Sequence, residues 1–201
     1  MSTLNEYFDR ILCINLDRRV DRWTKCLEEF EKHDLDVLRI QAVDGKDIPK
    51  AGKIRGPEIG CILSHKAALQ MIVRNGWGKV LILEDDIEFI EDLNNRFEIA
   101  IAHVPKWDML YFGGNHVNKV TKINEFVGKC NRTFTTSHYC VTLKSAGEIE
   151  PQINAVAQID VTYSRLQKEM QMYAFVPPLA WQVSGYSDIQ GGETNYDFMK
   201  K

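Results

Sequence analysis

The chain has 201 residues, 44% of them hydrophobic and 26% charged, with a formal net charge of −3. This length supports one domain with a core large enough to need no covalent staples, and the composition excludes disorder, collagen and coiled coil as overall descriptions. The slightly acidic balance offers no basic stripe for a nucleic-acid duplex.

Short strand signals alternate with helical ones. Residues 10–16 carry Ile11, Leu12, Ile14 and Leu16, the pattern of a buried strand. From Val20 the apolar residues recur in steps of three and four, at Val20, Trp23, Leu27 and Phe30, which predicts a helix with that face inward. A strand at about 37–43 completes a β-α-β unit and implies a parallel pair. A polar loop opens at Asp44-Gly45 and runs to Arg55. Gly56-Pro57-Glu58 then starts a helix with Ile59, Ile62, Leu63, Leu69, Ile72 and Val73 as its apolar set, closed by Asn75-Gly76. Residues 79–83 form a short aliphatic run that belongs in the middle of a sheet.

A helix at 92–103 and a strand at 108–112, stopped by Gly113-Gly114, follow. Residues 116–143 change texture to short β-branched pieces at 117–120, 125–127, 133–135 and 138–143, read as antiparallel strands or hairpin arms. Helices at 145–155 and 160–170, a strand at 173–176 ended by Pro177-Pro178, and a loop or tail over the last twenty residues complete the reading. The class is α/β, nucleotide-fold-like in its first half and mixed in its second.

The five cysteines are odd in number and form no C-x-x-C pair, which argues against a disulfide framework or a thiolate zinc site and for buried free thiols. The first ten residues lack the basic and apolar regions of a secretion signal, and the apolar runs are only a few residues long. The expectation is a cytoplasmic chain with no transmembrane segment and no nucleic-acid partner.

Glu84-Asp85-Asp86 directly follows the central strand. Three confined carboxylates repel one another unless a cation or a ring of donors neutralises them. Ligands of open α/β sheets bind beyond the carboxyl ends of strands. A hard cation, Mn²⁺ or Mg²⁺, bridging carboxylates to substrate phosphates fits both facts, and the spacing shows no soft-ligand cluster. Alternation along the strand puts Glu84 and Asp86 on one face as the metal-facing pair and Asp85 on the other. The other reading of the triplet is a solvated acidic turn.

At the first strand-to-helix turn, Arg18, Arg19 and Arg22 are placed to clamp a diphosphate, or to pair locally with Asp17 and Asp21. The turn lacks the glycines of a dinucleotide fingerprint or a P-loop. Gly60, inside a helix, implies a close approach of backbone or ligand, and Ser64 and His65 offer a hydroxyl and an imidazole to a phosphate or base. A satisfied, partly buried histidine is the plainer reading of His65. Cys61 resembles a thiol nucleophile, but the sequence shows no organised partners for it.

The ordered set Ile14-Asn15-Leu16-Asp17-Arg18-Arg19-x-x-Arg22, Ala42-Val43-Asp44-Gly45, Gly60-Cys61-x-Leu63-Ser64-His65 and Leu81-Ile82-Leu83-Glu84-Asp85-Asp86 resembles glycosyltransferase family 25. The resemblance continues through His138-Tyr139-Cys140-Val141, Asp160-Val161, Pro177-Pro178-Leu179-Ala180-x-Gln182 and Ser187-Asp188-Ile189. It implies an A-type glycosyltransferase fold, a Rossmann-like mixed sheet flanked by helices, in one domain over 1–201. Residues 1–112 would be the nucleotide-sugar half, and 113–201 the acceptor side and tail.

It also implies a UDP-hexose donor, galactose or glucose, a divalent metal, and inversion at the anomeric carbon. The acceptor would be a hydroxyl of a glycan, glycolipid or hydroxylated protein, with lipopolysaccharide synthesis as one setting. Carried over, Asn15, Arg18, Asp44, Ser64 and His65 become donor-pocket residues. Arg22, Gly60 and Asp85 join them as donor-binding residues, as do His138, Gln182 and Asp188 from the matching C-terminal stretches. Asp86 and Glu84 take the metal. Asp160, at the start of a helix, is the candidate base or simply a helix cap, with Glu84 as the other candidate base. A catalytically silent module that binds nucleotide-sugar or glycan is the alternative, and a metal-dependent phosphohydrolase is a third reading.

Overall fold

The computed structural model describes residues 3–200. In chain order the elements are α1 (Leu4–Tyr7), β1 (Arg10–Asn15), α2 (Val20–Lys32), β2 (Val37–Gln41), α3 (Gly56–Asn75), β3 (Lys79–Glu84), β4 (Ile87–Phe89), α4 (Leu93–Ile101), β5 (Met109–Tyr111), β6 (Asn115–His116) and β7 (Thr121–Lys122). There follow β8 (Val127–Lys129), β9 (Thr133–Phe134), β10 (His138–Thr142), α5 (Leu143–Ile149), α6 (Ile159–Leu166), β11 (Met172–Phe175), β12 (Ala180–Gln182), β13 (Gly185–Ser187) and β14 (Gly192–Thr194).

Eight strands make one sheet in the order β2-β1-β3-β10-β5-β11-β8-β7. β1 pairs parallel with β2 and β3, as the β-α-β reading requires. β10 runs antiparallel between β3 and β5, and β11 is parallel to β5. This is the mixed sheet flanked by helices that the sequence led us to expect. It runs without a break across residue 112, because β5 lies between β10 and β11.

Alternation along the strands divides the core into two layers. Leu12, Ile14, Val80, Ile82, Tyr139 and Val141 face Ile59, Ile62, Leu69 and Ile72 of α3, Ala146 and Ile149 of α5, and Tyr163 of α6. Ile11, Cys13, Leu81, Leu83 and Cys140 face Leu4 of α1, Cys26 and Phe30 of α2, and Leu93 and Phe97 of α4. The central strand β3 is buried from Val80 to Leu83, each side chain wholly covered. Burying one such aliphatic side chain stabilises by roughly 1.5–3 kcal/mol. Both faces therefore demand apolar residues, which is why its run is continuous rather than alternating.

Several readings of the sequence need correction, among them the strand at 117–120, which does not form, and the helix at 145–155, which ends at Ile149. In α2 the buried positions are Cys26 and Phe30, whereas Val20 and Leu27 are exposed. A cysteine at the right turn packs inward better than an equally spaced leucine aimed at solvent. In α3, Leu63 and Val73 are likewise exposed. Residues 87–89 form an unanticipated strand, β4, antiparallel to β12. The last twenty residues are not a tail: β13 and β14 form a hairpin, followed by a 3-10 turn at Asp197–Lys200. Their anchors are side-chain bonds to distant residues, which local pattern does not encode.

The start and end of α3 follow from its sequence. Pro57 sits in the first turn, and Glu58 Oε2 accepts from the Arg55 backbone N–H at 2.7 Å. Gly76 closes the helix in the left-handed region at φ 68°. No helix among the described residues is long and apolar enough to cross a membrane.

Candidate active site

A cavity of about 750 Å³ opens beyond the carboxyl ends of β1, β2 and β3. Arg18, Arg22, Asp44, Ser64, His65, Glu84, Asp85, Asp86, Asp160, Gln182 and Asp188 all line it, as does Cys61. The sequence candidates thus converge from seven separated stretches on the place where open α/β sheets bind ligands.

The acidic triplet is not left to itself. Asp85 is 9% exposed, and both its oxygens are engaged: Arg22 Nη1 donates to Oδ1 at 2.7 Å and Asn15 Nδ2 to Oδ2 at 2.6 Å. Asp86 Oδ2 accepts from Gln182 Nε2 at 3.0 Å and from Arg22 Nη1 at 3.1 Å. Its Oδ1 is buried with no hydrogen-bond partner among the described residues. Burial, with the Glu84 charge beside it, pushes the Asp86 carboxyl up to about 7. Glu84 Oε1 accepts from Thr136 Oγ1 at 2.7 Å and lies 3.0 Å from His65 Nε2. Although burial opposes it, the bonds from His65 and Thr136 hold the Glu84 carboxyl below its ordinary range.

The orphaned Asp86 Oδ1 fits a hard cation's need for an unshared carboxylate oxygen. Glu84 is the one triplet member without an arginine partner among the described residues, its ion-pair partner being His65. Asp85, saturated by Arg22 and Asn15, works as the bracket that fixes the turn.

The arginines are committed to acidic partners within the chain. Arg18 Nε donates to Asp44 Oδ2 and its Nη1 to Asp188 Oδ1, each at 2.7 Å. Arg19 pairs with Asp21 at 2.8 Å and also with Asp188. Arg22 Nη2 donates to the Tyr186 carbonyl at 2.7 Å. Of the two local partners considered, Asp21 is used, whereas Asp17 pairs with Arg39 at 2.8 Å. These bonds carry the hairpin of β13 and β14 across the first strand-to-helix turn.

Asn15, Gly60 and His138 lie behind the cavity wall. Asn15 is buried between Asp85 and Arg39, whose Nη2 donates to Asn15 Oδ1 at 2.7 Å. Gly60 allows α3 to approach the loop after β2: a Cβ there would meet the Val43 carbonyl at 2.5 Å and the Gly45 nitrogen at 2.8 Å. The approach is of backbone, not ligand. Ser64 fastens the same contact, accepting from the Val43 N–H at 2.8 Å and donating to the Gly60 carbonyl at 2.7 Å. His138 is buried beside Ser137, whose Oγ lies 2.7 Å from Nδ1, and burial lowers its imidazole to about 4.

Asp160 occupies the first turn of α6, after the capping residue Gln158, so it is not the cap itself. Its Oδ1 accepts from the Val161 N–H at 2.7 Å, and burial raises its carboxyl above the usual range. Thr136, Ser137, Gln158 and Tyr196 also line the cavity and were not anticipated. Thr136 and Ser137 precede β10, which enters the sheet antiparallel to β3. Only that pairing places them beside Glu84, and sequence spacing gives no sign of it. The fold also assembles a mixed-ligand cluster that the spacing hid: Cys61, His65 and Glu84 present their ligand atoms within 4.8 Å of one another.

A family model described as glycosyltransferase family 25 (LPS biosynthesis protein) matches residues 8–158. A glycosyltransferase 25 family member of Anopheles gambiae is 31% identical over 166 residues, which cover 69% of this chain and 28% of the relative. Procollagen galactosyltransferase 2 of Mus musculus is 30% identical over 129 residues, 53% of this chain and 21% of its own. The inactive glycosyltransferase 25 family member 3 of Homo sapiens is 28% identical over 134 residues, 55% of this chain and 22% of its own. The chain therefore spans about a quarter of the length of these curated relatives. A solved glycosyltransferase involved in glycosylation of the major capsid of PBCV-1 aligns with a TM-score of 0.48 at 9% identity, covering 80% of this chain and 74% of that one.

Proposed function

The chain belongs to glycosyltransferase family 25, and from that premise we propose that it transfers a hexose, galactose or glucose, from a UDP-sugar to a hydroxyl of a glycan, glycolipid or protein, with inversion and with help from Mn²⁺ or Mg²⁺. The observation that carries this reading is the buried Asp86 Oδ1, which has no hydrogen-bond partner among the described residues, in a cavity beyond the sheet's carboxyl ends. Asp86 and Glu84 would hold the cation, which supplies positive charge against the leaving diphosphate.

The protein's own groups do the remaining work. Arg22 fixes Asp85 and Asp86 at the strand end through bonds of 2.7 and 3.1 Å. Arg18, 40% exposed at its side chain, is the guanidinium best placed to exchange Asp44 or Asp188 for a donor phosphate. Asp160 accepts the proton of the attacking hydroxyl. Its raised carboxyl makes it a better base than Glu84, which is held low by His65 and Thr136.

The second reading is a silent module that binds nucleotide-sugar without turnover, and it is favoured by relatives whose names mark them inactive. One experiment separates the two. A panel of nucleotide sugars is screened by thermal shift with and without Mn²⁺, and each stabilising donor is then offered acceptors and product is measured. Metal-dependent transfer from a UDP-hexose supports the enzyme. UDP binding by calorimetry with no product across the acceptors supports the silent module, and full turnover in chelator removes the cation from the reading.

A further inference from the structure

We propose that Cys61, His65 and Glu84 form a second site, for a borderline-soft divalent metal of the zinc class, that opens to the same cavity and shares Glu84 with the hard-cation pair. Cys61 and His65 are one helical turn apart on α3, so their side chains leave the same face. Glu84 meets them from the end of β3. The three ligand atoms lie within 4.8 Å of one another, and His65 Nε2 is already 3.0 Å from Glu84 Oε1. Tetrahedral zinc, with bonds of about 2.0–2.3 Å, sets its ligand atoms roughly 3.3–3.8 Å apart, so the trio needs at most roughly 1–1.5 Å of closure.

The donor set is sulfur, nitrogen and oxygen. It suits zinc or cobalt rather than Mg²⁺ or Mn²⁺, which favour oxygen. The outer shell is already built. His65 Nδ1 lies 2.9 Å from Tyr139 Oη, which lies 3.0 Å from Tyr163 Oη, all buried. On metal binding the Nε2 proton would give way to the metal, and an Nδ1–H donating into the tyrosine pair would hold the ring with its Nε2 lone pair toward the metal position. Thr136 Oγ1 donates to Glu84 Oε1 at 2.7 Å and orients the carboxylate.

Electrostatics favours a cation here. Cys61 lines the same cavity as the carboxylates of Glu84, Asp160, Asp86 and Glu58. A divalent ion offsets their charge and stabilises the thiolate. On binding, the Cys61 proton leaves to buffer and its sulfur electron pair goes to the metal. Three protein ligands leave one coordination position for water or substrate, the open arrangement of a site that does more than brace the fold. Cys61 is also the half-buried thiol, whereas Cys13, Cys26, Cys130 and Cys140 are buried. Glu84 is shared with the pair offered to the hard cation, so occupation by zinc withdraws it from that pair.

The test uses the full chain, stripped with chelator, and no readout involves sugar transfer, so it stands or falls independently of the proposed reaction. Cobalt is titrated in and the absorption followed. The expected result is one equivalent bound with a sulfur-to-cobalt charge-transfer band. Cys61→Ser should lose that band, His65→Gln should weaken binding by about tenfold or more, and Asp86→Asn should keep the band. In the unmodified protein, Zn²⁺ should slow iodoacetamide alkylation of Cys61 by about tenfold, read by peptide mass spectrometry, while Mg²⁺ should not. That arm decides the question even where a variant fails to fold. Cobalt binding without a thiolate band, a band that survives Cys61→Ser, or alkylation indifferent to Zn²⁺ would each overturn the site.

Discussion

The Arg22 guanidinium reaches Asp86 at 3.1 Å across 64 residues of sequence, and the same nitrogen holds Asp85 at 2.7 Å. Helix α2 thus brings the neutralising cation to a triplet that has no basic residue near it in the chain. The Arg22 side chain is 18% exposed and that of Asp85 9%, so solvent screens the pair little. Removing one partner of such a pair costs about 3–5 kcal/mol, because the other charge stays buried. Arg22→Met should therefore lower unfolding stability by about that amount in urea titration, and adding Asp85→Asn should restore part of it. A loss below about 1 kcal/mol would mean that water, not Arg22, solvates the triplet.

Gly60 illustrates a substitution where two effects oppose. Alanine in a helix interior gains roughly 1 kcal/mol over glycine. Here the new methyl would stand 2.5 Å from the Val43 carbonyl and 2.8 Å from the Gly45 nitrogen, both backbone atoms that cannot turn aside. Overpacking of this kind costs about 1–3 kcal/mol. Gly60→Ala should lower the melting temperature, and by moving the Asp44 loop it should also weaken UDP binding measured by calorimetry. A variant more stable than the parent would show that α3 and the loop are free to separate.

Much of this was legible in the sequence, for identifiable reasons. The central strand declared itself because both its faces are buried, and α3 because Pro57 and Gly76 mark its ends. The acidic triplet, Arg18 and Asp44 share one cavity because the ends of the parallel strands β1, β2 and β3 meet on the same side, and His65 and Asp160 join them from α3 and α6. What stayed hidden depends on pairing between distant segments. Thr136 reaches Glu84 only through antiparallel insertion of β10, and Asp188 reaches Arg18 only through the folded hairpin. Cys61 lacked partners in the sequence because one of them arrives from β3. The face of α2 was misjudged because spacing alone does not rank Cys26 above Leu27.

His138 gives the fold an acid sensitivity of known sign. Burial lowers its imidazole from the ordinary 6.5 to about 4, so the folded state keeps it neutral while the unfolded chain protonates. Between those values the unfolded state binds more protons, and stability falls as pH drops from about 6.5 toward 4. The contribution is at most roughly 3.4 kcal/mol, at 1.36 kcal/mol per unit. Unfolding free energies measured across that window should show the slope in the parent and a flatter one in His138→Gln. Parallel slopes would place the acid sensitivity elsewhere, with His33 and His116, also lowered by burial, as the remaining candidates.

Asp160→Asn separates the proposed base from a mere helix-end residue. The amide keeps an oxygen for the Val161 N–H that Asp160 Oδ1 now accepts at 2.7 Å, so α6 should start as before. It removes the proton acceptor. If Asp160 is the base, transfer should fall by about 10²–10⁴-fold while UDP affinity stays within about twofold. The parent's rate should rise with pH through a carboxyl that burial has lifted above its usual range, since only the ionised form accepts the proton. That limb should vanish from the variant's residual rate. Turnover equal to the parent would assign Asp160 to the helix alone and shift the role to Glu84, whose lowered carboxyl predicts a rate already flat at the same pH.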